Sequence, residues 1–383
     1  MDRHYGMDWL RIGAFALLIL YHIGMFFVPW DWHVKTAEPV VWVRYPMLAT
    51  NAWRLALLFL VSGFASAAIL RKDGRTGAFI GSRSARLLIP LIFGMAVIIP
   101  PQPWVELMFK HGYADSFWTF WTRDYFDFRA IDGIMVPTWQ HLWFVVYMWV
   151  YTIAFALLRA VVPARAAAWI GRAADRALGG VLVLAVPIAL LLVNLWLTWP
   201  GHAETHDLVN DGPAHIVYFG MFLFGVLLAG AERVWAGIRR WWWLGVPVAI
   251  IGYALVIYAI LPEPDIALPF GVGRVLQGWG SIVALIGIAD RWWNRDHPSR
   301  RMLTEAVFPF YIIHQTIIVL VAWWLLPLAL PALAEFAILV PVTAIGCWLF
   351  YWIGRQVPVL RVLIGLRGWV APRRDPAKAA PGG

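Results

Sequence analysis

Charged residues are scarce in this chain of 383 residues. They make up 14% of the sequence, against roughly a quarter in an ordinary soluble domain. Hydrophobic residues make up 61%, and the polar gaps between the apolar runs are too short to hold a separate core. The composition therefore excludes a soluble domain that folds by itself, and we predict one membrane domain.

Cysteine is nearly absent as well. The single Cys347 lies in an apolar run, which excludes an intramolecular disulfide and a thiolate metal cluster. The N-terminus lacks the short apolar core and small-residue cleavage site of a secretory signal peptide. Its apolar stretch, from Asp8 to Val28, is long enough to cross a bilayer, so we expect it to remain as the first membrane helix.

Basic residues outnumber acidic ones, and the net charge is +9. They cluster in alternate loops, at 71–85, 159–178, 232–240 and 290–301, and again after Arg355. Cytoplasmic loops of membrane proteins carry such an excess, so we expect these loops and both termini to be cytoplasmic and to contact membrane lipids. There is no stripe of basic and aromatic residues, and we expect no nucleic-acid partner.

Runs of about 20 mostly apolar residues, the length that crosses a bilayer, recur along the chain. We predict an all-α, polytopic fold of about ten transmembrane helices within residues 1–360, and a disordered cytoplasmic tail at 361–383. The predicted spans are 8–29, 50–70, 86–102, 139–158, 179–199, 214–231, 242–261, 268–289, 302–328 and 333–354. The largest outer loop, 103–138, is aromatic and mixed in charge, which suits either a sugar-binding surface or a folded cap.

Two ionisable residues share one face of the first span. Arg11 and His22 are eleven positions apart, so they lie about 16 Å from each other along the helix axis. Because ionisable groups inside a membrane are costly, each is a candidate for function: His22 as a general base on a hydroxyl, and Arg11 as a holder of an anion. A hydrogen bond from His22 to a neighbouring helix, with Arg11 as an inner anchor, explains the pair equally well.

Arg83 and Arg86 form a second pair, where the chain enters the third span. Their spacing of three places both guanidinium groups on one side of the helix start, a favourable position for phosphate groups of a cytoplasmic nucleotide or diphosphate. Binding of lipid headgroups by a cytoplasmic basic cluster is the alternative, and these residues alone favour it.

Further polar residues lie within or at the ends of spans. Arg54, His141 and Arg274 share a similar outer depth, so they could line a cavity that opens outward together with His314. Hydrogen bonds between helices are the favoured explanation for each of them, and the same holds for Asn51, Asn194, Gln277 and Gln315. Ser62, Gly63 and Ser66 form a small-residue face that indicates close helix packing.

Three patterns are discounted. His202, Glu204, His206 and Asp207 resemble metal-ligand spacing, but they occupy a short outer loop that we interpret as solvated, so we predict no metal site. The segment FGVGRVLQGWG lacks the third glycine of a nucleotide fingerprint and falls inside a span. No serine lies in a Gly-x-Ser-x-Gly elbow, so a hydrolase of that type is unsupported.

Five segments, in order along nearly the whole chain, resemble the acyltransferase 3 family of membrane O-acyltransferases. They are MDWLRIGAFALLILYHIGMFF, FLVSGF, RSARLLIP with its Arg-x-x-Arg, HLWFVVYMWV and FPFYIIHQTI. The last two are most similar to the branch that adds succinyl groups to periplasmic glucans.

The resemblance implies transfer of an acyl group from cytoplasmic acyl-CoA, acetyl-CoA or succinyl-CoA, to a hydroxyl of a periplasmic or surface glycan, across a bacterial inner membrane. It matches His22 to the family's essential histidine and Arg11 to its paired arginine. Arg83 and Arg86 match the pair thought to hold the donor's phosphates. His141 and His314 match the two later motifs, as pocket residues.

Two alternatives stay open. The acceptor could be lipopolysaccharide, exopolysaccharide or a glycolipid, with acetyl as the transferred group. In a different class, the chain could transport a polar solute, although its spans contain few carboxylates for ion coupling and no evident pair of broken helices. If the acyl group is succinyl, Arg54 or Arg274 could hold its distal carboxylate.

Overall fold

The computed structural model describes residues 4–73, 75–198, 204–261 and 266–366. The all-α fold predicted from the sequence is confirmed in these residues. The helices are α1 (Tyr5–Phe27), α2 (Arg44–Asp73), α3 (Thr76–Phe93), α4 (Pro101–His111), α5 (Phe117–Thr119), α6 (Trp143–Val161), α7 (Ala164–Ala177), α8 (Leu182–Leu197), α9 (Gly212–Leu228), α10 (Glu232–Ile260), α11 (Ala267–Ile288), α12 (Pro298–Leu325), α13 (Ala332–Gln356) and α14 (Pro358–Leu363).

Eight helices in the described residues are long and apolar enough to cross a membrane. A ninth span results if α7 and α8 are taken together, although the pair bends by 102° at its break. The predicted span at 214–231 corresponds to α9, which has only 17 residues. All ten predicted runs are therefore helical, and the chain is a multi-pass membrane protein. The predicted tail starts within α14, and residues 367–383 lie outside the described part of the chain.

The outer loop at 103–138 is folded. It contains α4, α5 and a hairpin of two strands, β1 (Arg129–Ile131) and β2 (Ile134–Val136), in which Arg129 pairs with Val136. Asp132 and Gly133 connect the strands with φ angles of 46° and 85°. Positive φ at both positions is the requirement of a type I′ turn, and Asp-Gly is the sequence that meets it. The sequence analysis did not predict this hairpin.

Small residues bring the membrane helices close together. A Cβ on Gly63 of α2 would lie 1.9 Å from the carbonyl oxygen of Phe222 on α9, so only glycine fits there. Of the small-residue face predicted at Ser62, Gly63 and Ser66, this contact confirms the packing role of Gly63. Close approach of backbones is the usual way that helices associate in lipid, where no hydrophobic force drives them together.

Candidate active site

Three histidines from distant parts of the chain meet at one place. His22 comes from α1, His314 from α12, and His141 from the 3₁₀ turn that precedes α6. Nδ1 of His22 lies 2.9 Å from Nε2 of His314. The ring of His141 lies 5.0 Å from that of His314 and 6.5 Å from that of His22, between centroids. We call these residues the histidine cluster.

The hydrogen bonds determine which ring nitrogens of this cluster carry protons. Nδ1 of His314 lies 2.8 Å from the carbonyl oxygen of Tyr311, which can only accept, so Nδ1 of a neutral His314 carries the proton. Its Nε2 is then an acceptor, and His22 must donate to it from Nδ1. The Nδ1 proton of a neutral His22 is therefore donated to His314 on α12. Its Nε2 keeps a free lone pair, which is the form that a base or nucleophile needs.

His141 is held by the same carbonyl. Its Nε2 lies 3.0 Å from the Tyr311 oxygen and 3.2 Å from that of Ile312, so Nε2 donates. Its Nδ1 is buried and has no partner among the described residues. The Tyr311 hydroxyl in turn donates to the carbonyl oxygen of His141. Tyr311 was not predicted, although it lies in the FPFYIIHQTI segment, three residues before His314.

A cavity of about 210 Å³ opens beside the cluster. Ionisable side chains from five elements reach its wall: His22, Arg54, His141, Glu204, His206 and Arg274. The structure thus brings the predicted pocket residues Arg54, His141 and Arg274 to one space with His22. His314 contacts this space through His22, to which it is hydrogen bonded. We call it the histidine cavity.

Arg54 and Arg274 bring two positive charges to this wall. Arg54 is 3% exposed, its Cζ lies 3.9 Å from the ring centre of Tyr21, and it donates to Thr50. Arg274 donates to the side-chain oxygen of Asn51. Neither guanidinium forms an ion pair within 4.0 Å in the described residues, and Nε of Arg54 is buried without a partner there. A buried cation without a paired carboxylate favours binding of an anion.

Glu204 and His206 lie in the outer loop that was interpreted as solvated, and their side chains remain 37% and 44% exposed. Both line the histidine cavity: Glu204 accepts a hydrogen bond of 2.9 Å from Tyr218, and His206 stacks on Trp143 with 4.2 Å between centroids. Burial would raise the pKa of Glu204, but His206, Arg274 and Tyr218 lower it below its ordinary value. Glu204 is therefore an anion at neutral pH and partly balances the arginines.

Arg11, Arg83 and Arg86 lie apart from this cavity, and we call them the inner arginine cluster. The positive charges of Arg86 and Arg11 both act on Arg83, so Arg83 is close enough to be repelled by each of them. Arg83 donates to Ser66 at 3.1 Å, and Arg11 is attracted by Asp8. Nε of Arg11 and of Arg83 is buried and has no partner among the described residues.

A second polar network, which the sequence analysis missed, lies beside the histidine cluster. Gln315 follows His314 and donates to Nε2 of His33 and to the side-chain oxygen of Gln102, each at 3.0 Å. Nδ1 of His33 donates to Glu106. Burial opposes ionisation of Glu106, yet the hydrogen bonds from His33 and Lys110 lower its pKa to about 2. The network ties α12 to α4 and to the loop after α1.

Other polar residues form contacts between helices, as the sequence analysis preferred for them. Gln277 of α11 donates to the carbonyl oxygen of Leu48 on α2 at 2.9 Å. Within the described ranges, no group of three or more His, Cys, Asp or Glu side chains could hold a metal ion. His202, from the discounted metal-like pattern, lies outside those ranges.

The chain is similar to one protein family and to curated proteins that share one name. A family model described as an acyltransferase domain, acyltransferase 3, matches residues 4–352. Glucans biosynthesis protein C of Escherichia coli O6:K15:H31 is 26% identical over 159 residues, which is 39% of this chain and 37% of that protein. The protein of the same name from Escherichia coli O1:K1 is 26% identical over 156 residues, with the same coverage. The chain thus spans little more than a third of these relatives' length. No solved structure matches.

Proposed function

The chain belongs to the acyltransferase 3 family, and from this premise we propose that it moves an acyl group from cytoplasmic acyl-CoA to a glycan hydroxyl outside the bacterial inner membrane. The observation that carries the proposal is the pairing of His22 with His314, 2.9 Å apart. It leaves Nε2 of His22 unprotonated in the wall of a cavity that a hydroxyl group can enter.

In the proposed step, Nε2 of His22 takes the proton of the acceptor hydroxyl as the oxygen attacks the thioester carbonyl. The new C–O bond forms, the C–S bond breaks, and the proton passes from His22 to the departing thiolate of CoA. The hydrogen bond to His314 stabilises the imidazolium that forms in between, because His314 presents a neutral acceptor to it. His22 could instead carry the acyl group itself, since the same lone pair is nucleophilic.

The inner arginine cluster is the proposed site for the donor's phosphates. Arg11 and Arg86 both repel Arg83, and a bound diphosphate relieves that repulsion through charge-assisted hydrogen bonds. The positive-inside pattern of the loops assigns this end of the bundle to the cytoplasm, where acyl-CoA is found. The eleven residues from Arg11 to His22 set the depth, about 16 Å, that the extended thiol arm of CoA has to bridge.

Arg54 and Arg274 bear on which acyl group is moved. An acetyl group needs no cation at its far end, whereas a succinyl group carries a carboxylate there. Two arginines without an ion pair within 4.0 Å among the described residues offer a partner for that carboxylate, so we favour succinyl over acetyl. The acceptor is a glycan on the outer side, with an osmoregulated periplasmic glucan as one candidate; the name of the similar proteins supports a glucan.

Purified protein in lipid nanodiscs tests this function. We would supply acetyl-CoA or succinyl-CoA, with and without a periplasmic glucan extract, and measure both free thiol and the mass of the glycan product. Thiol release that needs glucan, with a mass gain of 100 Da for succinyl or 42 Da for acetyl, supports transfer. Thiol release without a modified glycan would show hydrolysis instead. No release with either donor, from folded protein, would overturn the proposal.

A further inference from the structure

A second cavity, which we call the lateral groove, continues from the histidine cavity. It has a volume of about 460 Å³, more than twice that of the histidine cavity, and α2, α8, α9 and α11 form its walls. The two spaces share five wall residues: Asn51, Leu55, Glu204, Tyr218 and Arg274. A single molecule could therefore occupy both.

Beyond the shared residues the groove is mostly apolar, with Asn194 and Thr198 of α8 as polar exceptions. Its wall on α11 runs from Ala267 to Ile282, which is about 22 Å of helix and so more than half of a hydrocarbon core of about 30 Å. Leu191 and Leu195 of α8 and Val217 of α9 face it from the other side. A wall of this composition and length suits a hydrocarbon chain better than a sugar.

The groove lies where the protein meets lipid. Exposed apolar side chains stand beside it on both flanking helices: Trp196 and Leu197 of α8 are 75% and 68% exposed, and Ile216 of α9 is 62% exposed. In a chain that crosses a membrane, such residues contact acyl chains rather than water. An apolar tail can thus reach the groove directly from the bilayer.

Because the lateral groove is mostly apolar and the histidine cavity that it joins is polar, we propose that the acceptor is a lipid-linked sugar. Its hydrocarbon tail lies in the lateral groove, its polar linkage lies near Asn51, Glu204 and Arg274, and its sugar hydroxyl reaches His22. This inference rests on the proposed acyl transfer at His22, and it selects among the possible acceptors the class that carries a lipid.

The test uses alkyl glucosides as acceptor probes. We would compare glucose with octyl and dodecyl glucoside, below their micelle concentrations, on the full chain in nanodiscs with a saturating acyl-CoA. Because each buried methylene adds to binding, kcat/KM should rise at least about tenfold from glucose to dodecyl glucoside. Partitioning of long chains into the bilayer raises the rate too, so variants of the groove are needed.

Val217→Trp and Ala267→Trp fill the groove without touching the histidine cavity. Each should reduce the gain from chain length to less than about threefold while leaving the rate with glucose unchanged. The adjacent Ile216→Trp and Leu268→Trp, at exposed positions outside the groove, are matched controls that change bilayer contact alone and should keep the full gain. A flat series in the wild type, or equal gains in all variants, would overturn the inference.

A binding measurement separates this inference from the proposed function. Dodecyl glucoside with a photoreactive group at the end of its chain should label α8, α9 or α11, and Val217→Trp should abolish the label. Labelling without acyl transfer to any glucoside would overturn the proposed function and keep the groove as a glycolipid site. Transfer without labelling, or equal labelling by a photoreactive phospholipid that competes with the glucoside, would overturn the groove as an acceptor site.

Discussion

The histidine cluster and the inner arginine cluster both contain buried polar groups, but the two sets are arranged differently. In the histidine cluster, each bond has a donor and an acceptor, and the chain from Tyr311 through His314 to His22 has one direction. In the inner cluster, like charges lie close together, and two buried Nε groups lack partners in the described residues. The first arrangement positions a proton, whereas the second attracts an anion. In the proposed function, this difference gives the chemistry to the histidine cluster and donor binding to the inner arginine cluster.

Removal of the proposed base should have the largest effect. His22→Ala should lower kcat for acyl transfer by about 10² to 10⁴-fold, the usual contribution of a general base, and leave KM for acyl-CoA nearly unchanged. Single-turnover and steady-state thiol release measure both. His111→Ala, at an exposed position on α4, is the matched control and should behave as wild type. A similar loss of kcat in both variants would contradict a special role for His22.

Substitutions in the inner arginine cluster should change KM for acyl-CoA rather than kcat. Arg83→Ala/Arg86→Ala should raise KM for acyl-CoA by about 10² to 10⁴-fold, because each of the two lost charged hydrogen bonds to phosphate contributes about 1.5–3 kcal/mol. Its kcat should change little. Acyl-pantetheine, which lacks the nucleotide, should react equally well with wild type and variant. Arg165→Ala/Arg172→Ala, at exposed positions on α7, is the control. A loss with acyl-pantetheine of equal size would mean that these arginines do not recognise phosphate.

The relay between the two histidines makes a finer prediction. His314→Phe removes the acceptor for the Nδ1 proton of His22 and should lower kcat by about 10 to 100-fold, the range seen when the partner that orients a histidine is lost. His314→Gln keeps a side-chain acceptor and should recover part of the rate. Equal rates in the two variants, measured on folded protein, would show that the hydrogen bond is not what His314 contributes.

Arg54 should affect selectivity more than rate. Arg54→Gln removes a buried positive charge from the histidine cavity and should lower kcat/KM for succinyl-CoA by about tenfold, while acetyl-CoA loses less than about threefold. Arg44→Gln, at the outer start of the same helix, is the control. The ratio of the two donors in direct competition is the measurement. An unchanged ratio would remove the argument for a carboxylate at this position.

The smallest expected effect is on folding stability, through the hydrogen-bond network that contains Glu106 and His33. The folded pKa of Glu106 is about 2, below its ordinary value, so its contribution to stability is present above the ordinary pKa and is lost as pH falls toward 2. Glu106→Gln should lower the melting temperature at pH 7 by several degrees, and the difference from wild type should shrink on acidification below about pH 4.5. Glu38→Gln, at an exposed position in the loop after α1, should show neither change.

The sequence predicts the helices well because a span needs a long apolar run, and such runs are read directly. It also finds His22, Arg54, His141, Arg274 and His314, because an ionisable residue inside a span is conspicuous. It does not show that His314 points its Nε2 at His22, since that depends on how α1 and α12 pack. Glu204 and His206 were discounted and His33 was missed because they lie in loops, where polar residues are common and only the fold reveals what these three contact.

Sidedness gives the most direct test of the account. Vesicles with the protein in one orientation would receive labelled acyl-CoA on one face and the acceptor glycan on the other. Labelled glycan should form only when acyl-CoA is on the face of Arg83 and Arg86 and the glycan is on the opposite face, and none should form with His22→Ala. Label that forms only when donor and acceptor share one face, or that persists in His22→Ala, would contradict the proposed function.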